Sequence, residues 1–224
     1  MNFNLLTWPK QMIENLKKFD DVGDIIIFDN CSTYQPLLDW YSTNPCEIVY
    51  SDYNRGHCGP WDFGLIDKLN SEFYVVTDPD MGLDETPTDS LNFLKEKLSS
   101  HKEFDRIGLS IIDYADPIPN VPHYGLMRHL YHEFYDPTKK EDGLLKGHIV
   151  DTTFAMYNIN RHKSGPSCAT DFPYSVRHLP WAITEAQLNN LKEYNYEFFY
   201  YLKTAEYSSS YKKYVNFDNR FNNE

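Results

Sequence analysis

Phe73-Tyr74-Val75-Val76-Thr77-Asp78-Pro79-Asp80-Met81 decides the fold class of this chain: an apolar, β-branched run feeds directly into a turn that carries two carboxylates one residue apart. Residues 73–77 suit a strand covered on both faces, the kind found in sheets flanked by helices. Hard oxygen ligands at a strand end suit Mg2+ or Mn2+, and an ion held there would bridge two phosphates and offset charge on a departing group. An Asp-Pro turn in which Asp78 caps neighbouring backbone groups uses the same residues.

Outward from this turn the chain alternates. Toward the N-terminus, residues 3–7 read as a short strand ended by Trp8-Pro9, and Met12, Ile13, Leu16 and Phe19 fall at helical spacing from Lys10. Asp24-Ile25-Ile26-Ile27-Phe28 is a second strand, residues 36–41 a short helix, 47–50 a third strand and 61–69 a helix leading into the strand at 73–77. This β-α-β-α-β-α-β order predicts an α/β fold with a central mixed, mostly parallel sheet flanked by helices. Sheets of that type bind ligands beyond the carboxyl ends of their strands. Toward the C-terminus the reading gives a helix at 90–99, a strand at 107–112 and a proline-rich stretch from Asp116 to Pro122. It continues with a helical pattern at 124–135, a strand at 149–157 and a helix at 184–202.

Length and composition bound the answer. The 224 residues, 41% hydrophobic and 16% aromatic, are enough for one sizeable core, so residues 1–215 are expected as one domain. Residues 216–224 then form a polar tail, or a linker to the rest of a larger multidomain chain. A formal charge of −12 argues against nucleic acid as a partner, because backbone phosphates are held by clustered Lys and Arg. No apolar run approaches the ~18 residues of a transmembrane span. Cys31, Cys46, Cys58 and Cys168 show no CxxC spacing and read as reduced thiols, so the expected compartment is the cytoplasm, or the host cytoplasm if the chain is viral.

Two further segments gather at the same sheet edge. Asp29-Asn30-Cys31-Ser32-Thr33 follows the second strand and offers acceptors and donors suited to a base and ribose, or an Asx turn. Asn54-Arg55-Gly56-His57-Cys58-Gly59-Pro60-Trp61 follows the third, where glycines let backbone approach a ligand and Arg55 can meet phosphate, or where a plain turn precedes a helix. His129-Leu130-Tyr131-His132-Glu133 matches neither HExxH nor HxxEH and gives no zinc site.

With these residues in order, the chain resembles a GT-A fold nucleotide-diphospho-sugar glycosyltransferase of the family-2-like type. Ile25 to Thr33, Tyr53-Asn54-Arg55-Gly56-His57 and Thr77-Asp78-Pro79-Asp80 carry the resemblance, which covers residues 3 to about 115. Val150 to Tyr157 and Tyr174 to Trp181 are similar to segments of a bacterial and large-DNA-virus subgroup. The resemblance implies that Thr7 and Asp29 border a uracil pocket, with Asn30, Arg55 and Gly56 on the nucleotide-sugar. It also implies that Asp78 lies near ribose and metal, and that Asp80 is a metal ligand. His178 matches the late histidine that many such enzymes supply as a third metal ligand or phosphate contact.

The family's ED pair before a helix has no counterpart, which leaves the anomeric outcome open. Asp151, a strand-end acid beside Thr152 and Thr153, is the candidate carboxylate facing the reacting sugar, or a structural Asp bonded to those hydroxyls. Tyr124 and Trp181 are candidates for an acceptor wall, or core residues. The expectation is a glycosyltransferase dependent on Mn2+ or Mg2+ that moves a hexose or deoxyhexose from a UDP-sugar to a glycan hydroxyl. A nucleotidyltransferase would need a Gly-rich, Lys-containing first loop, which Thr7-Trp8-Pro9-Lys10 is not, and a non-catalytic carbohydrate-binding scaffold is the remaining alternative.

Overall fold

In a computed structural model of the chain, the structure describes residues 1–111, 140–146, 150, 152–205 and 209–221. The strands are β1 Ile26–Asp29, β2 Glu47–Tyr50, β3 Phe73–Thr77, β4 Met81–Gly82, β5 Arg106–Gly108, β6 Ser110–Ile111, β7 Lys140–Glu141, β8 Leu144–Leu145, β9 Thr153–Asn158, β10 Ser167–Thr170 and β11 Ser175–His178. The α-helices are α1 Thr7–Leu16, α2 Gln35–Tyr41, α3 Gly59–Asp62, α4 Ser90–Ser100, α5 Glu185–Asn189, α6 Leu191–Tyr194, α7 Tyr196–Thr204, α8 Ser210–Tyr214 and α9 Phe217–Phe221.

The expected mixed α/β architecture is present, and its parallel share is smaller than expected. β1 pairs with β2 in a parallel two-stranded sheet, as the alternation requires. The six-stranded sheet runs β3-β9-β5-β10-β8-β7, and of its pairings only β5 with β10 is parallel. A three-stranded sheet, β4-β11-β6, joins one antiparallel and one parallel pair. The cause is β9. It inserts antiparallel between β3 and β5, an arrangement dictated by contacts distant in sequence.

Other expectations shift locally. The strand expected at 3–7 is reduced to a single parallel bridge between Asn2 and Asp29, and α1 begins at Thr7 instead of Lys10. That helix buries Pro9, Met12 and Ile13 on one face, the spacing its sequence displays. The helix expected at 61–69 breaks into α3 and a 3-10 turn at Ile66–Lys68, with Gly64 at φ +74 between them. The helix expected at 184–202 is three pieces. α5 starts in a capping box between Thr184 and Gln187, and α7 at Asn195, whose side chain accepts from the Phe198 N–H.

Within the stretch at 216–224, expected as a polar tail or linker, α9 covers Phe217–Phe221: Phe217 is buried, and Phe217 and Phe221 pack on Phe199 of α7. The helical pattern at 124–135 lies outside the described residues.

The principal core lies between α1, α4 and the six-stranded sheet, where Met12, Leu94, Leu98, Ile107, Phe154 and Met156 meet. Each fully buried side chain of this size stabilises the fold by about 1.5–3 kcal/mol. A second cluster joins Leu5 to Leu188, Leu191, Phe198 and Leu202. It fixes α5 to α7 beside the first loop and the acidic turn.

Candidate functional site

β3 ends at Thr77 and β4 begins at Met81, so Asp78, Pro79 and Asp80 form the link between two different sheets. The link is held from both sides. The Asp78 N–H donates to the Thr152 carbonyl at 3.0 Å, and the Leu179 N–H donates to the Asp80 carbonyl at 3.0 Å. β4 then pairs with β11 in the register His178 to Met81, which brings His178 beside Asp80. Their side chains approach to 4.0 Å between His178 Nε2 and Asp80 Oδ2, with side-chain exposures of 15% and 13%. Trp181 stacks on the imidazole at 4.7 Å between ring centres, 22° from parallel.

Burial sets the electrostatics of this pair. It pushes the Asp80 carboxyl up to about 7, against the pull of a backbone hydrogen bond and of the Met1 ammonium. It pushes His178 down to about 3, so the imidazole is neutral at physiological pH and keeps a lone pair. Asp80 Oδ1 and His178 Nδ1 are both buried without a hydrogen-bond partner. Buried polar atoms are rarely left in that state, and a divalent cation would satisfy a carboxylate and a neutral imidazole together. The donor set therefore fits a metal ion that takes its remaining ligands from phosphate and water. Among the described residues no three or more His, Cys, Asp or Glu side chains form a metal-holding group.

Asp78 is oriented differently from Asp80. The Thr152 hydroxyl lies 3.3 and 3.4 Å from its two carboxylate oxygens, so Asp78 leans toward the start of β9. A bulge makes this possible. The β3–β9 register skips from Val76 opposite Ala155 to Thr77 opposite Thr153, and the skipped Phe154 sits at φ +103.

The loops after β1 and β2 are tightly self-bonded. Asp29 is 1% exposed, and its carboxylate accepts from the Ser32 N–H at 2.9 Å, the Ser32 hydroxyl at 2.5 Å and the Tyr41 hydroxyl at 3.1 Å. That is the Asx-turn geometry, and it shapes residues 30–33 from beneath. Asn30 reaches the neighbouring loop, accepting from the Arg55 N–H at 3.2 Å and donating to the Gly56 carbonyl at 3.1 Å. Gly56 takes φ +64, and its N–H is held by the Asn54 side chain. The Arg55 guanidinium bonds Ser51, Tyr53 and Asp52 at 2.9, 2.6 and 2.6 Å and lies 3.9 Å above the Tyr53 ring. Thr7 sits at the N-terminus of α1, where its N–H and hydroxyl donate to Glu197 of α7 at 2.8 Å each.

Asp151 and Tyr124 lie outside the described residues. Trp181 is brought to the acidic turn through His178, with its other side in the cluster around Leu5 and Phe198. Sequence reasoning missed Thr152, Glu197 and Tyr201. The Tyr201 phenol is pushed well above the usual range by burial and then by the charge of Asp80 and, more weakly, Asp78, which puts it at the acidic turn from the C-terminal helices. The aromatic run from Tyr196 to Tyr201 reads as core, and only its packing singles out one hydroxyl.

No protein-family model matches this chain, and no curated protein matches it. Among solved structures the chain is similar to S. aureus TarS at 13% identity and a TM-score of 0.47, covering 98% of this chain and 42% of that one. It is also similar to TarS 1-349 in complex with UDP, at 13% identity and a TM-score of 0.47, covering 99% of this chain and 72% of that one. For TarS 1-349 in complex with UDP-GlcNAc the values are 15% identity and a TM-score of 0.42, with coverage of 98% and 72%. The chain spans less than half of the longer TarS structure.

Proposed function

We propose that this chain is a GT-A-type glycosyltransferase that moves a hexose or deoxyhexose from a UDP-sugar to a glycan hydroxyl. The observation that carries the reading is the pair formed by Asp80, in the turn that ends β3, and His178, at the end of β11: a largely buried carboxylate and imidazole in which Asp80 Oδ1 and His178 Nδ1 have no hydrogen-bond partner. Asp80 and His178 are the residues that would hold Mn2+ or Mg2+, with Asp78 oriented by Thr152 toward the ribose side. Such an ion supplies neutralisation of the diphosphate leaving group.

The remaining work falls to the chain itself. The Trp181 ring covers one face of His178 and keeps bulk water from that side of the pair. Asp29, Asn30 and Arg55 serve the nucleotide by shaping the backbone of residues 30–33 and 54–56, since their own polar atoms are engaged within those loops. Asp151, immediately before Thr152, is the proposed carboxylate at the reacting sugar, acting as base or stabilising an oxocarbenium-like centre. Tyr124 and Trp181 are proposed for the acceptor side, and the cytoplasm as the site of action.

Screening UDP-sugars for Mn2+-dependent hydrolysis tests the reading. Turnover of one donor is the expected result, whereas no turnover and no Mn2+-dependent affinity for UDP would favour a carbohydrate-binding scaffold. Asp151→Asn should keep UDP binding and lose transfer; wild-type transfer rates would remove Asp151 from the mechanism.

A further inference from the structure

A concave surface lies on the C-terminal helices, and none of its lining residues belongs to the acidic turn. Lys192 of α6 and Tyr196, Phe199, Tyr200, Lys203 and Thr204 of α7 line a groove of about 500 Å³. That size suits a monosaccharide or short oligosaccharide. The groove is built from fixed walls. Tyr200 shares a hydrogen bond of 3.0 Å with the Thr33 hydroxyl, and its ring lies 5.3 Å from that of Tyr34. The Thr204 hydroxyl donates to the Tyr200 carbonyl at 2.8 Å and accepts from the Asn4 amide at 2.9 Å.

Against these walls stand an open aromatic face and two cations. Tyr196 is 53% exposed, with its ring 6.4 Å from that of Tyr200. The Lys192 and Lys203 ammonium groups come from different helices and converge on the ring of Phe199, at 5.8 and 5.9 Å. Aromatic faces with polar rims take the C–H face of a sugar ring, and paired ammonium groups select an anion.

We propose that this groove binds an anionic saccharide, a sugar ring bearing a phosphate or a carboxylate. Tyr196 supplies the stacking face, and Lys192 and Lys203 take the charge. The assignment does not draw on the acidic turn, none of whose residues lines the groove, although through Tyr200 the groove adjoins the loop at residues 30–33.

Calorimetry or NMR titration of the full chain at low ionic strength tests it, with glucose 6-phosphate, glucuronate, glucose and inorganic phosphate as probes. At least one anionic sugar should bind saturably and at least about fivefold more tightly than glucose, with affinity falling as salt rises. Whether phosphate or carboxylate is preferred follows from the two anionic arms. Lys192→Ala, Lys203→Ala and Tyr196→Ala should each weaken that binding about threefold or more while leaving the melting temperature unchanged, since these side chains line an open surface. The proposal is overturned by equal affinity for glucose, by binding that survives all three substitutions, or by no binding of either anionic sugar. It is also overturned if inorganic phosphate binds equally well and indifferently to Tyr196→Ala, an adventitious ion only, or if a short poly-glutamate peptide binds more tightly than the sugars. UDP with Mn2+ should leave the titration unchanged; displacement would overturn the proposal by making the groove part of the nucleotide-sugar site.

Discussion

His178 Nε2 and Asp80 Oδ2 face one another at 4.0 Å across the β4–β11 ladder, each largely buried and each with its second polar atom unpartnered. At this distance the two do not form an ion pair, because burial holds His178 neutral. Asp80→Asn and His178→Ala should each lower the Mn2+-dependent affinity for UDP at least tenfold, about 1.4 kcal/mol, with a melting temperature at or above that of the wild type for Asp80→Asn and below it for His178→Ala, which loses the stack on Trp181. The double variant should be little worse than either single one, since the two side chains would act on one ion. Calorimetry with and without Mn2+ reads this directly, and unchanged affinity in Asp80→Asn would dissociate the acidic turn from the metal.

Glu197 joins the two ends of the chain. Its carboxylate accepts from the N–H groups of Leu6 and Thr7 at 2.6 and 2.8 Å and from the Thr7 hydroxyl at 2.8 Å, and so caps the N-terminus of α1 from α7. Loss of a helix N-cap typically costs about 1 kcal/mol. Glu197→Ala should therefore destabilise by about that amount in urea unfolding, and Thr7→Ala by less, because the Thr7 N–H remains. A Glu197→Ala variant as stable as the wild type would show that the cap contributes nothing.

Much of this architecture was legible in the sequence, and the illegible part has a common cause. β2 and β3 fall where their apolar runs predict, and α2 and α4 within a residue of it, because hydrophobic period and turn residues are local signals. β4 and β6, of two residues each, are defined by their partner β11 and have no pattern of their own. The acidic turn was legible because proline and paired aspartates are conspicuous. That His178 answers Asp80, and Thr152 answers Asp78, depends on pairings between residues about 70 to 100 positions apart, which periodicity does not encode. Asp29 and Arg55 were legible as polar residues at strand ends. What the sequence left open was their partners within the fold, which are Ser32 and Tyr41 for Asp29 and Asp52 for Arg55.

Gly108 is required by the bulge that orients this site. A Cβ added there would stand 2.3 Å from Val150 Cγ1 and 3.0 Å from the Phe154 carbonyl oxygen, which itself accepts from the Leu109 N–H at 3.0 Å. Val150 can turn away only within a packed cluster, and the carbonyl cannot move without reshaping the bulge. Gly108→Ala is expected to destabilise by about 1–3 kcal/mol, the usual range for forced overpacking. Denaturant unfolding checks this, and an effect below about 0.5 kcal/mol would mean that the β3–β9 bulge adjusts freely.

The last prediction concerns pH. The hairpin of β7 and β8 turns at Asp142 and Gly143, and Asp142 is tied to α4 by Lys97 Nζ at 2.9 Å and to His101 Nε2 at 3.1 Å. His101 Nδ1 meets Glu103 at 3.1 Å, and Lys146 approaches both Glu103 and Glu141. Asp142 and then Glu103 hold the imidazolium, raising His101 above its ordinary value. Lys97 and then His101 hold the Asp142 carboxyl below its own. A raised histidine contributes stability that is complete below its unfolded value of about 6.5 and is lost as pH rises through the folded one. A lowered aspartate contributes stability present above about 3.9 and lost as pH falls. The tether is therefore strongest between about pH 4 and 6.5. The melting-temperature difference between the wild type and His101→Gln should be largest near pH 5.5 to 6 and should shrink steadily toward pH 8, and a difference that stays flat across that range would show that the hairpin is held by Lys97 and packing alone.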